Sequence, residues 1–114
     1  MTIKRKEVGN VTVLRMEGNL DESGVDTLRD ALLICLDSGR CNIVMNLGGV
    51  GQISFMGLGV IVERLRKIRA RGGDIKLVGV NLHAERLFRM AGITSLFETY
   101  ASEPLALRAY QEAA

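Results

Sequence analysis

Three apolar, β-branched runs, Val11–Met16, Cys41–Leu47 and Asp74–Val80, are each followed by a stretch whose apolar residues repeat at helical spacing. That alternation constrains the fold more than any other feature. Neighbouring parallel strands cannot be joined by a tight turn; they need a crossover, usually a helix, and it is right-handed. Val25, Leu28, Leu32, Cys35 and Leu36 form the stripe of a first helix, and Leu58, Ile61, Val62, Leu65 and Ile68 that of a second. Leu82, Leu87, Phe88 and Ala91 mark a third, with Asn81 as its cap and Gly92 as its stop. Ser23 with Asp26 three residues on predicts the cap of the first helix, Gly39 its end, and Gly72–Gly73 the end of the second. Ahead of them, Val8-Gly9-Asn10-Val11 predicts a hairpin turn between Thr2–Glu7 and Val11–Met16. Lys4, Arg5 and Lys6 make the first strand a charge-protected edge. Leu96–Tyr100 adds a short fifth strand, and Ser102-Glu103-Pro104 opens a last helix. The expectation is an α/β fold: a mixed, largely parallel sheet of four to five strands packed with about four helices, in one domain over residues 1–114.

Composition narrows the function. With 114 residues the chain suffices for one core but not two, and its net charge of +2 gives no bulk attraction to nucleic acid. Five aromatic residues (three Phe, two Tyr) are too few for a base-stacking platform. No apolar run approaches the roughly 20 residues of a membrane helix, and Met1–Lys6 has no apolar segment behind it, so no secretory signal is expected. A cytoplasmic location follows. Cys35 and Cys41 lack the spacing of a redox pair and read as small core thiols. His83 is the only histidine, so any triad or metal site would depend on it, and neither metal nor cofactor is expected.

In sheets of this kind the working surface lies at strand C-termini, here the loop Gly48–Met56 leading into a helix that starts near Gly57. The motifs there carry no chemistry. Gly57-Leu58-Gly59 lacks the third small residue of a dinucleotide fingerprint, since Val62 stands in its place. Gly51–Gly57 lacks the spacing of a nucleophile elbow around Ser54. The residues therefore point to a binding domain without catalytic groups. Arg64, Arg66, Lys67, Arg69, Arg71 and Lys76, against Glu63 and Asp74, form either a patch for an acidic partner or the solvated side of a helix; the spacing of Glu63 and Lys67 suits the second.

The order of elements, Gly18-Asn19-Leu20-Asp21, Ile43–Leu47, Val50, Ile53–Gly59, Gly72–Val78, and Leu87-Phe88 with Ala91-Gly92-Ile93 and Leu96-Phe97 together resemble the STAS domain. This is the fold of bacterial anti-sigma factor antagonists and of sulfate-transporter tails. The resemblance covers nearly the whole chain, and without membrane segments it is closest to the stand-alone antagonists. It implies a regulator that binds a partner-switching anti-sigma factor, a GHKL-type kinase, and so frees a sigma factor. It further implies a contact surface at Asp21, Ser54, Phe55, Met56, Gly57 and Leu58, with a Ser or Thr directly before the Gly-Leu of the second helix as the phosphate acceptor.

This sequence departs from the pattern there. The family's run is Asp-Ser-Ser/Thr-Gly, whereas Ser54-Phe55-Met56-Gly57 places a thioether at the acceptor position. Ser54 stands where an aspartate is usual, and Asn46 replaces another common acidic residue, while Asp21 matches. The expectation is partner binding without the Ser/Thr phosphoswitch, no phosphorylation at Met56, and none at Ser54, which lies two residues too early. Met56 and Leu58 are expected to anchor the partner, with Phe55 either inward or on the surface. Two alternatives stay open: a STAS subunit of another assembly, such as a lipid-transport or signalling complex, and an anion or small-ligand binder at the Ser54–Gly57 helix terminus. A homodimer is also compatible.

Overall fold

The computed structural model describes residues 1–112. The chain runs β1 (Thr2–Val8), β2 (Val11–Leu20), α1 (Val25–Asp37), β3 (Asn42–Ile53), α2 (Phe55–Ala70), β4 (Asp74–Val78), α3 (Leu82–Met90), a 3-10 turn (Thr94–Leu96), β5 (Thr99–Tyr100) and α4 (Glu103–Glu112). The five strands lie side by side in sequence order. Only β1 and β2 are antiparallel, joined at Val8 and Val11 across the expected turn; the other pairs are parallel.

Alternation along the strands divides the core in two. Leu14 and Met16 of β2, Ile43, Met45 and Leu47 of β3, and Ile75 and Leu77 of β4 join the stripes of α1 and α2 and, from α3, Ala84, Leu87 and Phe88 in the main core. Of the expected α3 stripe, Leu82 is 58% exposed and Ala91 lies past the helix end. Val11, Val13, Val44 and Val78 point to the opposite face, where Ala106 of α4 covers them. The α2 stripe packs as its spacing requires, with Leu58, Ile61, Leu65 and Ile68 buried. The Tyr110 hydroxyl fastens α4 to the sheet, lying 2.6 Å from the Ile43 carbonyl and 2.7 Å from that of Asp74 and accepting from the Ile43 amide.

Four sequence expectations are corrected. First, β2 and β3 run on past Met16 and Leu47 to Leu20 and Ile53, so most of Gly48–Met56 is strand rather than loop. Gly48–Gly49 reads as a stop in sequence, but the strand passes through it at a register shift against β2, where β3 carries the extra residue. A Cβ on Gly49 would lie 2.7 Å from the Met16 carbonyl oxygen, so glycine there permits close approach. Second, Ser23 does not cap α1. Gly24 holds the cap position with no side-chain bond, and the Ser23 hydroxyl donates to Asp21 Oδ1 at 2.7 Å. Third, Lys76 is not part of a surface patch. Its side chain is 8% exposed, bonded to Glu98 at 2.5 Å and held over the Tyr110 ring at 4.8 Å, because its strand position faces α4. Fourth, the fifth strand shrinks to Thr99–Tyr100, because Thr94–Leu96 coils into a 3-10 turn. Cys35 is buried and Cys41 half-buried, both as free thiols; burial pushes the Cys35 thiol up.

Candidate functional site: the strand ends beneath helix α2

Strands β2 and β3 end together, with Leu20 opposite Ile53, and the segments leaving them lie side by side. The Ser54 amide donates to the Leu20 carbonyl at 2.9 Å, and the Ser54 hydroxyl accepts from the Gly57 amide at 3.0 Å as the cap of α2. Helix α2 accordingly starts at Phe55, two residues before the expected Gly57. A Cβ on Gly57 would stand 2.5 Å from the Leu20 carbonyl oxygen and 2.7 Å from its Cγ, so the first turn of α2 rests directly on the end of β2.

Asp21 orders the neighbouring turn. Its carboxylate accepts from the Ser23 amide at 3.0 Å, the Ser23 hydroxyl and the Gly24 amide, and the hydroxyl bond holds it below the usual carboxylate range. Its carbonyl also accepts the Val25 amide at 3.0 Å, which starts α1. Asp21, Ser54 and Gly57 therefore form the frame of the junction. Asn46 lies away from this frame and ties β3 to α4: its amide donates to Glu103 at 2.7 Å, where Arg15 makes a bidentate pair, and its oxygen accepts the Gly48 amide. Arg15 and Asn46 together hold the Glu103 carboxyl below its ordinary range.

What the junction offers a partner is apolar. Phe55 is 60% exposed and Met56 48%, so both side chains face outward. Leu58 corrects the expectation of a surface anchor. It is 3% exposed and belongs to the main core, because it lies on the inward stripe of α2. Two clefts flank these residues. One of about 360 Å³ lies between α2 and the end of α3, with Phe55 at its mouth and Leu58, Val62, Ala91 and Ile93 on its walls. The other, about 260 Å³, runs from Met56 between Arg29 of α1 and Arg64 of α2.

The basic stretch of α2 is largely paired. Lys67 meets Glu63 at 3.0 Å at the i,i+4 spacing, Arg64 meets Glu63 at 3.3 Å, and Arg69 meets Asp74 at 3.0 Å. Arg29, Gly59, Arg64 and Arg66 were not picked out as surface residues of the junction by sequence reasoning. Arg29 is far away in the chain and is brought here only by the packing of α1 on α2. Among the described residues no group of three or more metal-ligating side chains comes together, and no helix is long and apolar enough to cross a membrane.

Comparison with known proteins agrees on one family. The STAS domain matches residues 2–106. The anti-sigma F factor antagonist of Paenibacillus polymyxa is 29% identical over 108 residues, 94% of this chain and 92% of that protein. The crystal structure of a Thermotoga maritima protein superposes with a TM-score of 0.87 at 25% identity, covering 94% of this chain and 92% of the other. The anti-sigma factor antagonist SpoIIAA in its unphosphorylated form superposes at 0.84 with 20% identity over 97% of both chains, a likeness of fold.

Proposed function

Because the chain belongs to the STAS domain family, we propose that it is an anti-sigma-factor antagonist that binds its partner through the Phe55–Met56 end of α2, without a phosphate switch there. The observation that carries this reading is the pair itself. Two large apolar side chains stand exposed, at 60% and 48%, on the rigid frame made by Asp21, Ser54 and Gly57. Being continuous with the apolar cleft of Leu58, Val62, Ala91 and Ile93, the pair supports a contact surface here. The partner is an anti-sigma factor, in the first instance a GHKL-type kinase in the cytoplasm, and the protein acts by binding rather than by turnover.

The acceptor position has no hydroxyl, and the Ser54 oxygen is already committed to the Gly57 amide. A negative charge at position 56 enters only by substitution. Met56→Asp buries an unpaired charge on binding and weakens the complex by about 1–2 kcal/mol or more, with the domain still folded. The test is affinity capture of the tagged protein from its own cells, followed by titration of the captured anti-sigma factor with both forms. Incubation with that factor and ATP leaves Ser54 and its neighbours unmodified by mass spectrometry. Unchanged affinity in Met56→Asp, or stoichiometric phosphate on Ser54, refutes this reading. Recovery of only transport-complex subunits assigns the protein to another assembly.

A further inference from the structure

Gly59 is the residue of α2 that the fold does not explain. It lies in the second turn of the helix, exposed, and a Cβ built on it meets nothing within 4 Å. Glycine inside a helix weakens it relative to alanine, so the isolated domain gains nothing from the missing side chain. The contrast with Gly57, two residues earlier, is complete: there the domain itself fills the space. Gly59 also lines both clefts, which makes it the saddle between them, with Phe55 and Met56 on its N-terminal side.

The walls of that saddle are unevenly charged. Arg29, Arg64 and Arg66 line the clefts with one carboxylate, Glu63, which Lys67 and Arg64 engage; Arg29 pairs with Asp26 at 3.2 Å, and the cations still outnumber the carboxylates. The Arg64 side chain is 13% exposed, and its buried Nε stands 3.3 Å from Glu63 Oε2, an ion pair whose geometry makes no hydrogen bond. A buried N–H held that way is poorly satisfied, and a guanidinium is matched best by a bidentate carboxylate. Small size at the saddle, an apolar floor on the α3 side and an excess of cations on the walls are three separate observations at one place.

We propose that the outer face of α2 around Gly59 docks an acidic segment of the partner protein. Its main chain crosses at Gly59, a carboxylate side chain reaches Arg29 and Arg64, and its apolar side chains pack on Phe55 and Met56. Charge complementarity selects an acidic occupant over a basic one. The apolar walls formed by Leu58, Val62, Ala91 and Ile93 select a peptide over a free anion. The inference rests on the partner-binding reading above and adds the chemistry of what binds.

Gly59→Ala separates this role from a structural one, because its two effects have opposite sign. The substitution raises the melting temperature by about 2–4 °C through helix propensity. It also lowers affinity for the captured anti-sigma factor at least about tenfold, as does Arg64→Gln. Wild-type affinity in both variants overturns the proposal. A second arm needs no partner. The full chain, labelled with ¹⁵N, is titrated with the blocked peptide acetyl-Leu-Glu-Glu-Leu-amide, with its Gln-Gln counterpart, and with inorganic phosphate. The Glu peptide shifts the Gly59 amide and Arg64 Nε–Hε signals, and the Gln peptide does so at least about tenfold more weakly. Shifts with phosphate alone, or with none of the three, overturn the proposal. A protein that answers the Glu peptide but binds no anti-sigma factor refutes the antagonist reading and leaves the docking face standing. The reverse result refutes the docking face.

Discussion

Gly57→Ala should destabilise this domain even though alanine is the better helix former. The added methyl would sit 2.5 Å from the Leu20 carbonyl oxygen, 2.7 Å from Leu20 Cγ and 3.2 Å from the Leu20 carbonyl carbon. Two of these are main-chain atoms at the end of a central strand, so no rotamer change relieves the contact. Either the first turn of α2 lifts by about an ångström or β2 gives way. Overpacking of this kind costs about 1–3 kcal/mol, and a backbone neighbour places it at the upper end. Helix propensity returns at most about 1 kcal/mol. The net loss is about 2 kcal/mol, equivalent to a fall of about 8 °C in melting temperature for a chain of this length. Urea unfolding followed by far-ultraviolet circular dichroism measures it, with an unchanged slope showing that the fold survives. Gly59→Ala is the internal control, since the same chemical change two residues on meets open space and stabilises. Equal effects at the two positions would refute the claim that α2 is seated on Leu20.

Leu65, 1% exposed in the main core, should lose about 2–5 kcal/mol as Leu65→Ala in the same assay, and a loss below about half a kcal/mol would remove it from the core. Ser54→Ala removes the cap of α2 and should cost about 1 kcal/mol, whereas an unchanged urea midpoint would deny the cap its role. Stability should fall in acid. Glu103 and Glu98 are both held below their ordinary 4.5 by bonds to Arg15 and Lys76, so their contribution is complete above that value and is lost as pH drops through the lowered ones. The alkaline limb has the opposite sign. Burial opposes charge on Lys76, but Glu98 outweighs it and raises the ammonium above 10.5, while burial raises Tyr110 above 10.0; stability from both is present below those values and lost above them. Urea midpoints across pH 3–11 for wild type and Tyr110→Phe check both limbs, and a steeper alkaline loss in the variant would contradict the assignment.

Element order and the buried stripes could be read from the sequence because periodicity reports which side of an element meets the core. Leu58, Ile61, Leu65 and Ile68 were placed by spacing alone. Strand ends were less readable, because Gly48–Gly49 looks like a stop when its real neighbour is the β2 main chain, out of sight of local sequence. Ser23 shows the same limit: it reads as a cap, but its hydroxyl is taken by the Asp21 carboxylate once the turn is closed, and Gly24 holds the cap position. At the candidate site, the sequence named a segment but not its geometry. Met56 on the surface follows from position and Leu58 inside from the stripe, while Phe55 outside depends on where α2 begins, two residues earlier than its glycine suggested. Lys76 was misplaced because a lysine in a strand counts as surface until its partners Glu98, Asp74 and Tyr110 are known.

On the proposed reading, the junction also explains how a switch position can change while the scaffold stays. Position 56 points outward and is 48% exposed, so within the domain little depends on which side chain it carries. Position 57 is fixed by Leu20, position 54 by the need of the α2 amides for a cap, and position 21 by the turn that starts α1. Folding therefore constrains three of the four residues and leaves the fourth to the partner. Replacing a hydroxyl by a thioether there removes the group that accepts phosphate and adds apolar area to the contact, and neither change touches the core. The two effects act in the same direction. If Met56 lies at the proposed contact, a surface that cannot be charged there loses that means of release, and one with more apolar area binds more firmly. Control of the complex would then come from outside the domain, through the concentration of the protein or the state of the partner.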